Sequence, residues 1–124
     1  MNLTIKNPAP DDDTQQRWGD FHFGNSLKRA LEKSGLTVFQ DFLPNWDSDH
    51  GEDVVLVLRG LHKYQPVKGK FNILWIISHP AMVSPVEVDA YDLILTASAF
   101  HCSLLREITR KPVEVARQCT DFIA

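Results

Sequence analysis

Val54-Val55-Leu56-Val57-Leu58 is an unbroken apolar run. A strand with one wet face alternates apolar and polar residues, whereas an unbroken run belongs to a strand covered on both faces, as in a parallel sheet. Phe71 to Ile77, with Leu74-Trp75-Ile76-Ile77 at its heart, repeats the pattern, Leu93 to Leu95 repeats it in shorter form, and Val113 to Val115 makes a last candidate strand. Upstream, Leu3 to Lys6 reads as a short strand ended by Asn7-Pro8-Ala9-Pro10, and Leu36 to Leu43 as a second strand. Helical spacing separates these runs. In Phe21 to Ser34 the residues Phe23, Leu27, Ala30 and Leu31 recur at three- and four-residue steps, with Asp20 as the expected N-cap and Gly35 at the C-cap. Ser84 to Ala90 opens with Ser-Pro, a good cap followed by proline at the first helical position. Ser98 to Thr109 places Phe100, Leu104, Leu105 and Ile108 on one helical face, with Ser98 as its cap.

Buried strands alternating with amphipathic helices predict an α/β fold: a three-layer Rossmann-like sandwich around a mainly parallel sheet. The 124 residues are one domain's worth, and residues 1–124 are read as a single Rossmann-like domain. Hydrophobic residues make up 44% and charged residues 23%, which excludes a disordered or fibrous chain. A net charge of -3 with scattered basic residues gives no electrostatic reason to bind nucleic acid or anionic lipid. No apolar run approaches the roughly 18 residues that a membrane span needs, and Met1 to Pro10 has no apolar signal core. Cys102 and Cys119 form no disulfide framework or zinc spacing and read as small buried residues, so the expected setting is cytoplasmic.

In such sheets ligands gather beyond the carboxyl ends of the strands. Neither G-x-G-x-x-G nor a P-loop is present. After the first strand, Gly19 would let backbone approach a ligand at a helix N-terminus, or merely permit a turn. Arg59 ends the Val54 run, where its planar fork would clamp a phosphate or carboxylate, or else form a structural salt bridge to the acidic loop. His79, in Ser78-His79-Pro80, stands where a general base or hydrogen-bonding partner would stand, though a lone histidine is more often structural. His22, His50, His62, His79 and His101 are dispersed, so no metal site and no cofactor is expected. The receiver domain of two-component signalling shares this length and alternation. Its phosphate-accepting aspartate would end the third strand, where Arg59 stands, and its lysine would follow the fifth, where Ala97-Ser98 stands.

An ordered set of segments carries a resemblance. Trp18-Gly19-Asp20-Phe21-His22-Phe23, Val54 to Gly60, Trp75-Ile76-Ile77-Ser78-His79-Pro80, Asp92 with Ala97-Ser98, and Gln118-Cys119-Thr120-Asp121 together resemble the N-terminal half of GT-B glycosyltransferases, particularly the bacterial group-1-like and spore-maturation-like proteins. The strand leading into Ile77-Ser78-His79-Pro80 is the most specific piece. The resemblance implies a domain that shapes the acceptor side of a sugar-transfer cleft. It also implies that the nucleotide-sugar donor is held mainly by a second domain, which would begin near Ala124, so inactivity of this chain alone is expected. By resemblance, Gly19 and Arg59 are substrate-binding candidates and His79 is the catalytic candidate. A stand-alone small-molecule or protein-binding module on the same fold is the alternative. An orphaned half would expose apolar surface, with Phe100, Trp46 and Phe122 as candidates for that surface or equally for the core, and a homodimer as the expected consequence.

Overall fold

A computed structural model describes residues 1–118 of the chain. The elements run β1 (Asn2–Pro10), α1 (Gly19–Lys33), β2 (Thr37–Leu43), β3 (Val54–Arg59), β4 (Phe71–Ile76), α2 (Pro85–Asp89), β5 (Leu93–Thr96), α3 (Ala99–Ile108) and β6 (Val113–Val115). All six strands join one sheet in the order β2-β1-β3-β4-β5-β6, and every pair is parallel. The architecture is the expected Rossmann-like α/β sandwich.

The apolar run that defines β3 explains the layers. Every residue of β3 is buried. Val55 and Val57 enter one core with Val88 of α2 and with Cys102 and Leu105 of α3. Leu56 and Leu58 enter the other with Phe23 of α1, Val38 and Trp75. Successive side chains of a strand point to opposite faces, so α1 forms one outer layer, and α2 with α3 the other. Each such side chain contributes about 1.5–3 kcal/mol by leaving water.

Several local readings differ from the sequence expectation. β1 continues to Pro10 instead of stopping at Lys6. Its pairing with β3 ends at Lys6, and beyond that residue it faces only β2, across a register shift between Asn7 and Pro10. Pro8 and Pro10 therefore interrupt one ladder at most, which a strand tolerates at an edge or a bulge. The α1 cap is Trp18, which makes no side-chain capping bond, while Asp20 lies in the first turn, where a carboxylate suits the positive helix end. The caps of α2 and α3 are as expected: the Ser84 hydroxyl accepts from the Glu87 N–H and the Ser98 hydroxyl from the His101 N–H. Gly35, at φ 93°, takes the left-handed conformation that closes α1.

Trp46, a candidate for either surface or core, is buried, and its indole N–H donates to the Asn7 carbonyl at 2.9 Å. Phe100 is 74% exposed, whereas Cys119 and Phe122 lie outside the described residues. Cys102 is buried against Val113. Among the described residues no helix is long and apolar enough to cross a membrane.

Candidate functional site

The strand order places the three residues singled out from the sequence on adjacent strands at the carboxyl edge. Gly19 opens α1 after β1, Arg59 ends β3, and His79 follows β4, with β1, β3 and β4 side by side. The segments leaving these strands meet around Gly60. A Cβ there would stand 3.3 Å from the Ser78 hydroxyl and 3.9 Å from the Pro8 ring.

Their side chains do not share one void. The Arg59 guanidinium is 3% exposed and lies on the α2 side of the sheet. Nε donates to Glu87 Oε2 at 2.6 Å and Nη2 to Glu87 Oε1 at 3.1 Å, while Nη1 donates to the Gly60 carbonyl. Nη2 also reaches the Met82 carbonyl at 3.4 Å. Arg59 thus spends its fork on α2 and on the loop after β4. Gly19 belongs to α1, on the opposite face. His79 is exposed and its Nδ1 lies 2.9 Å from the Ser78 hydroxyl. It takes a left-handed backbone conformation, φ 52° and ψ 50°, which costs a side-chain-bearing residue about 1–2 kcal/mol. That turn swings Pro80 to Met82 back over the end of the sheet, closed by the Met82 N–H on the His79 carbonyl at 3.0 Å.

Between this returning segment and α3 lies an open cleft of about 540 Å3. Pro80, Ala81 and Val83 form one wall, Phe100, Leu104 and Ile108 the other, and Ile76 and Ile77 lie at the sheet end. Of the helical face formed by Phe100, Leu104, Leu105 and Ile108, only Leu105 is buried in the core, and the other three are an exposed cleft wall. The residues that dock α3 on the sheet are Cys102 and Leu105. Ser78, Thr96, Ser98 and His101 supply polar atoms. His101 Nδ1 lies 2.9 Å from the Thr96 hydroxyl, and burial pushes the imidazole pKa below its ordinary 6.5. His79 is not itself part of the lining, although its chain neighbours Ser78 and Pro80 are.

A second polar group lies under β1 and β2, where the sequence reading saw only the end of a strand. Lys6 is fully buried, and its ammonium donates to Asp41 Oδ2 at 2.7 Å and to the Ser48 carbonyl at 2.9 Å. His50 Nε2 is 2.8 Å from the other Asp41 oxygen, with its ring stacked on Phe39. Asn7, also fully buried, donates to the Asp20 carbonyl and to Gln40 Oε1, each at 2.8 Å, and so fixes the start of α1 on β1. Burial raises the Asp20 pKa. One signal was available: Lys6 and Asp41 are opposite charges at paired positions of neighbouring strands.

Near this group a smaller cavity of about 350 Å3 includes Trp46, Glu52, Tyr64 and Lys70 in its lining. Lys70 bridges Glu52 at 2.8 Å and Asp49 at 3.1 Å. The Gly51 N–H, followed by Lys70, lowers the Asp49 carboxyl to about 2. Burial works to raise Glu52, but its bonds, led by that to Lys70, bring it below the ordinary range. Among the described residues no group of three or more His, Cys, Asp or Glu side chains is placed to hold a metal ion.

Comparison of the chain with protein-family models, with curated proteins and with solved structures finds no match.

Proposed function

We propose that the chain is the acceptor-side domain of a two-domain, GT-B-type glycosyltransferase, with the acceptor held in the cleft between α3 and the Ser78–Val83 segment. The observation that carries this reading is the cleft itself. It opens at the carboxyl edge of a parallel sheet, where α/β folds hold their ligands, and combines an apolar wall with a few polar groups. The segment from Trp75 to Pro80 that carries the resemblance supplies one side of it.

In sugar transfer the acceptor oxygen bonds to the anomeric carbon as that carbon's bond to the donor's diphosphate breaks. The diphosphate leaves with the electron pair, and the acceptor's proton passes to a base. His79, exposed between Ser78 and Pro80 of the cleft lining, takes the proton in this reading. His101, held by Thr96 in the wall, orients the acceptor hydroxyl. The leaving diphosphate needs cationic or N–H donors. The cleft offers no lysine or arginine side chain for it, and Arg59 is closed on Glu87. Donor binding and turnover therefore require the other half.

The test is titration of the isotope-labelled chain with neutral hydroxyl compounds and with nucleotide sugars, followed by amide NMR and by a diphosphate-release assay. Hydroxyl ligands are expected to shift resonances of Ser78 to Val83 and Ala97 to Leu104, with no turnover of any nucleotide sugar. Turnover by these residues alone, or nucleotide binding within the cleft, would overturn the proposal in favour of a self-contained enzyme.

A further inference from the structure

We infer that the cleft accepts an uncharged, amphipathic alcohol, its apolar body laid along α3 and its hydroxyl turned to Thr96 and His101. The inference rests on the acceptor-side reading above and names the substrate class of that same site.

Charge is the first ground. None of the cleft's lining side chains is a lysine, arginine, aspartate or glutamate. The guanidinium that ends β3 is neutralised by Glu87, with both side chains no more than 3% exposed. The first turn of α3 is capped by Ser98, whose hydroxyl takes the His101 N–H at 3.2 Å. An anionic ligand would give up its hydration here and meet no counter-charge.

The second ground is where the polar atoms lie. Ile76 pairs with Thr96 in register, so Ser78 and Ser98, each two residues further on, flank one end of the cleft. His101 joins them through Thr96 at 2.9 Å. A neutral imidazole has one donor and one acceptor nitrogen. With Nδ1 engaged by Thr96, Nε2 remains to bond a hydroxyl in either tautomer, because a hydroxyl both donates and accepts. Partial burial favours the neutral form of the ring.

Shape is the third ground. Phe100, Leu104 and Ile108 recur every four residues on α3 and are 74%, 45% and 48% exposed. They form an apolar stripe about 12 Å long at a rise of about 1.5 Å per residue. A volume of about 540 Å3 suits a small molecule with a medium-length chain or a fused ring.

The experiment titrates the isotope-labelled chain, below micelle-forming concentrations, with octyl glucoside, octyl phosphate and glucose. The first two share a tail and differ in head charge, and the third lacks the tail. Octyl glucoside is expected to shift Phe100, His101 and Leu104 and to bind at least tenfold more tightly than either of the others. Leu104→Ser and Phe100→Ser, both at exposed positions that leave the core intact, should each weaken it at least tenfold. Octyl phosphate binding as tightly, or unchanged affinity in both variants, overturns the inference. If glucose alone shifts these resonances, the amphipathic class falls and the acceptor cleft stands. If none of these compounds, and no other hydroxyl ligand, shifts them, both fall together.

Discussion

Replacing Glu87 by glutamine tests whether Arg59 is a clasp of the fold. The guanidinium and carboxylate are 3% and 2% exposed and meet through two bonds, 2.6 and 3.1 Å long. Glutamine keeps the shape and part of the hydrogen bonding but leaves a buried cation without its counter-ion. Breaking a buried pair from one side costs about 3–5 kcal/mol, whereas exchanging both partners for apolar residues of similar volume is often neutral or stabilising. A domain of this kind has about 5–15 kcal/mol in total. Glu87→Gln should therefore remove a large part of the stability, and Arg59→Met with Glu87→Leu should restore most of it. Urea denaturation of the wild type, Arg59→Met, Glu87→Leu and the double variant closes the cycle, with a coupling of several kcal/mol expected and Glu87→Gln measured beside it. A loss below about 1 kcal/mol in Glu87→Gln, within the range of exposed pairs, would show that the pair is solvated and refute the reasoning. The same variants report on the cleft. Arg59 also reaches the Met82 carbonyl, so the double variant, although stable, should loosen the Pro80–Met82 turn and weaken ligands without contacting them.

Gly24→Ala should destabilise the chain by about 1–3 kcal/mol, the usual range for overpacking, despite alanine's better helix propensity. A Cβ at that position would collide with the Asn7 and Gln40 amides, and a gain in melting temperature would refute the packing at the α1–β1 contact. His101 should titrate below 6.5 by NMR, because burial disfavours its charged form. The unfolded chain then binds a proton that the folded chain refuses, so stability falls as pH drops from about 6.5 through the folded value and levels off below it. His101→Phe should lose this dependence, and a midpoint at or above 6.5 would contradict a buried ring. Trp46 is buried and Phe100, Leu104 and Ile108 are exposed, so self-association is expected through the Phe100 stripe. A reversible homodimer is expected that Phe100→Ser returns to monomer, and a wild-type light-scattering mass of 14.1 kDa at high concentration would refute it.

How far the sequence can be read depends on whether a feature is local. The apolar runs at Val54, Leu74 and Leu93 report their own burial, because a strand covered on both faces takes mostly apolar side chains. Ser84-Pro85 and Ser98 likewise announce caps that need only the next turn. The Arg59–Glu87 pair is different: 28 residues separate its members, and nothing near either one specifies the other. Phe100, Leu104 and Ile108 show a subtler limit. Helical periodicity identifies an apolar stripe, but α3 has two, offset around its axis. Cys102 and Leu105 meet the sheet, while the larger stripe lines the cleft, and only packing decides between them. At β1 the prolines signal an end because a proline cannot donate to a ladder. With β3 no longer paired beyond Lys6, that missing bond costs little, and the strand continues.

The engagement of Arg59 changes the chemistry expected of this edge. A free guanidinium after β3 would make it an anion site, suited to the diphosphate of a nucleotide sugar. Closed on Glu87, it draws together α2, the end of β3 and the turn after β4. The same contacts leave that turn standing opposite the apolar stripe of α3. The clasp thus helps to shape the cleft wall and removes the nearest positive charge from it. An apolar space with hydroxyls and a neutral imidazole at one end is suited to a neutral acceptor and poorly suited to a charged donor. In a glycosyltransferase the two substrates must meet, so the groups that neutralise the diphosphate have to come from outside the cleft. In the proposed reading that division of labour rests on the burial of one arginine, and in the double variant of Arg59 and Glu87 stability should survive while the cleft's preference for uncharged ligands is retained.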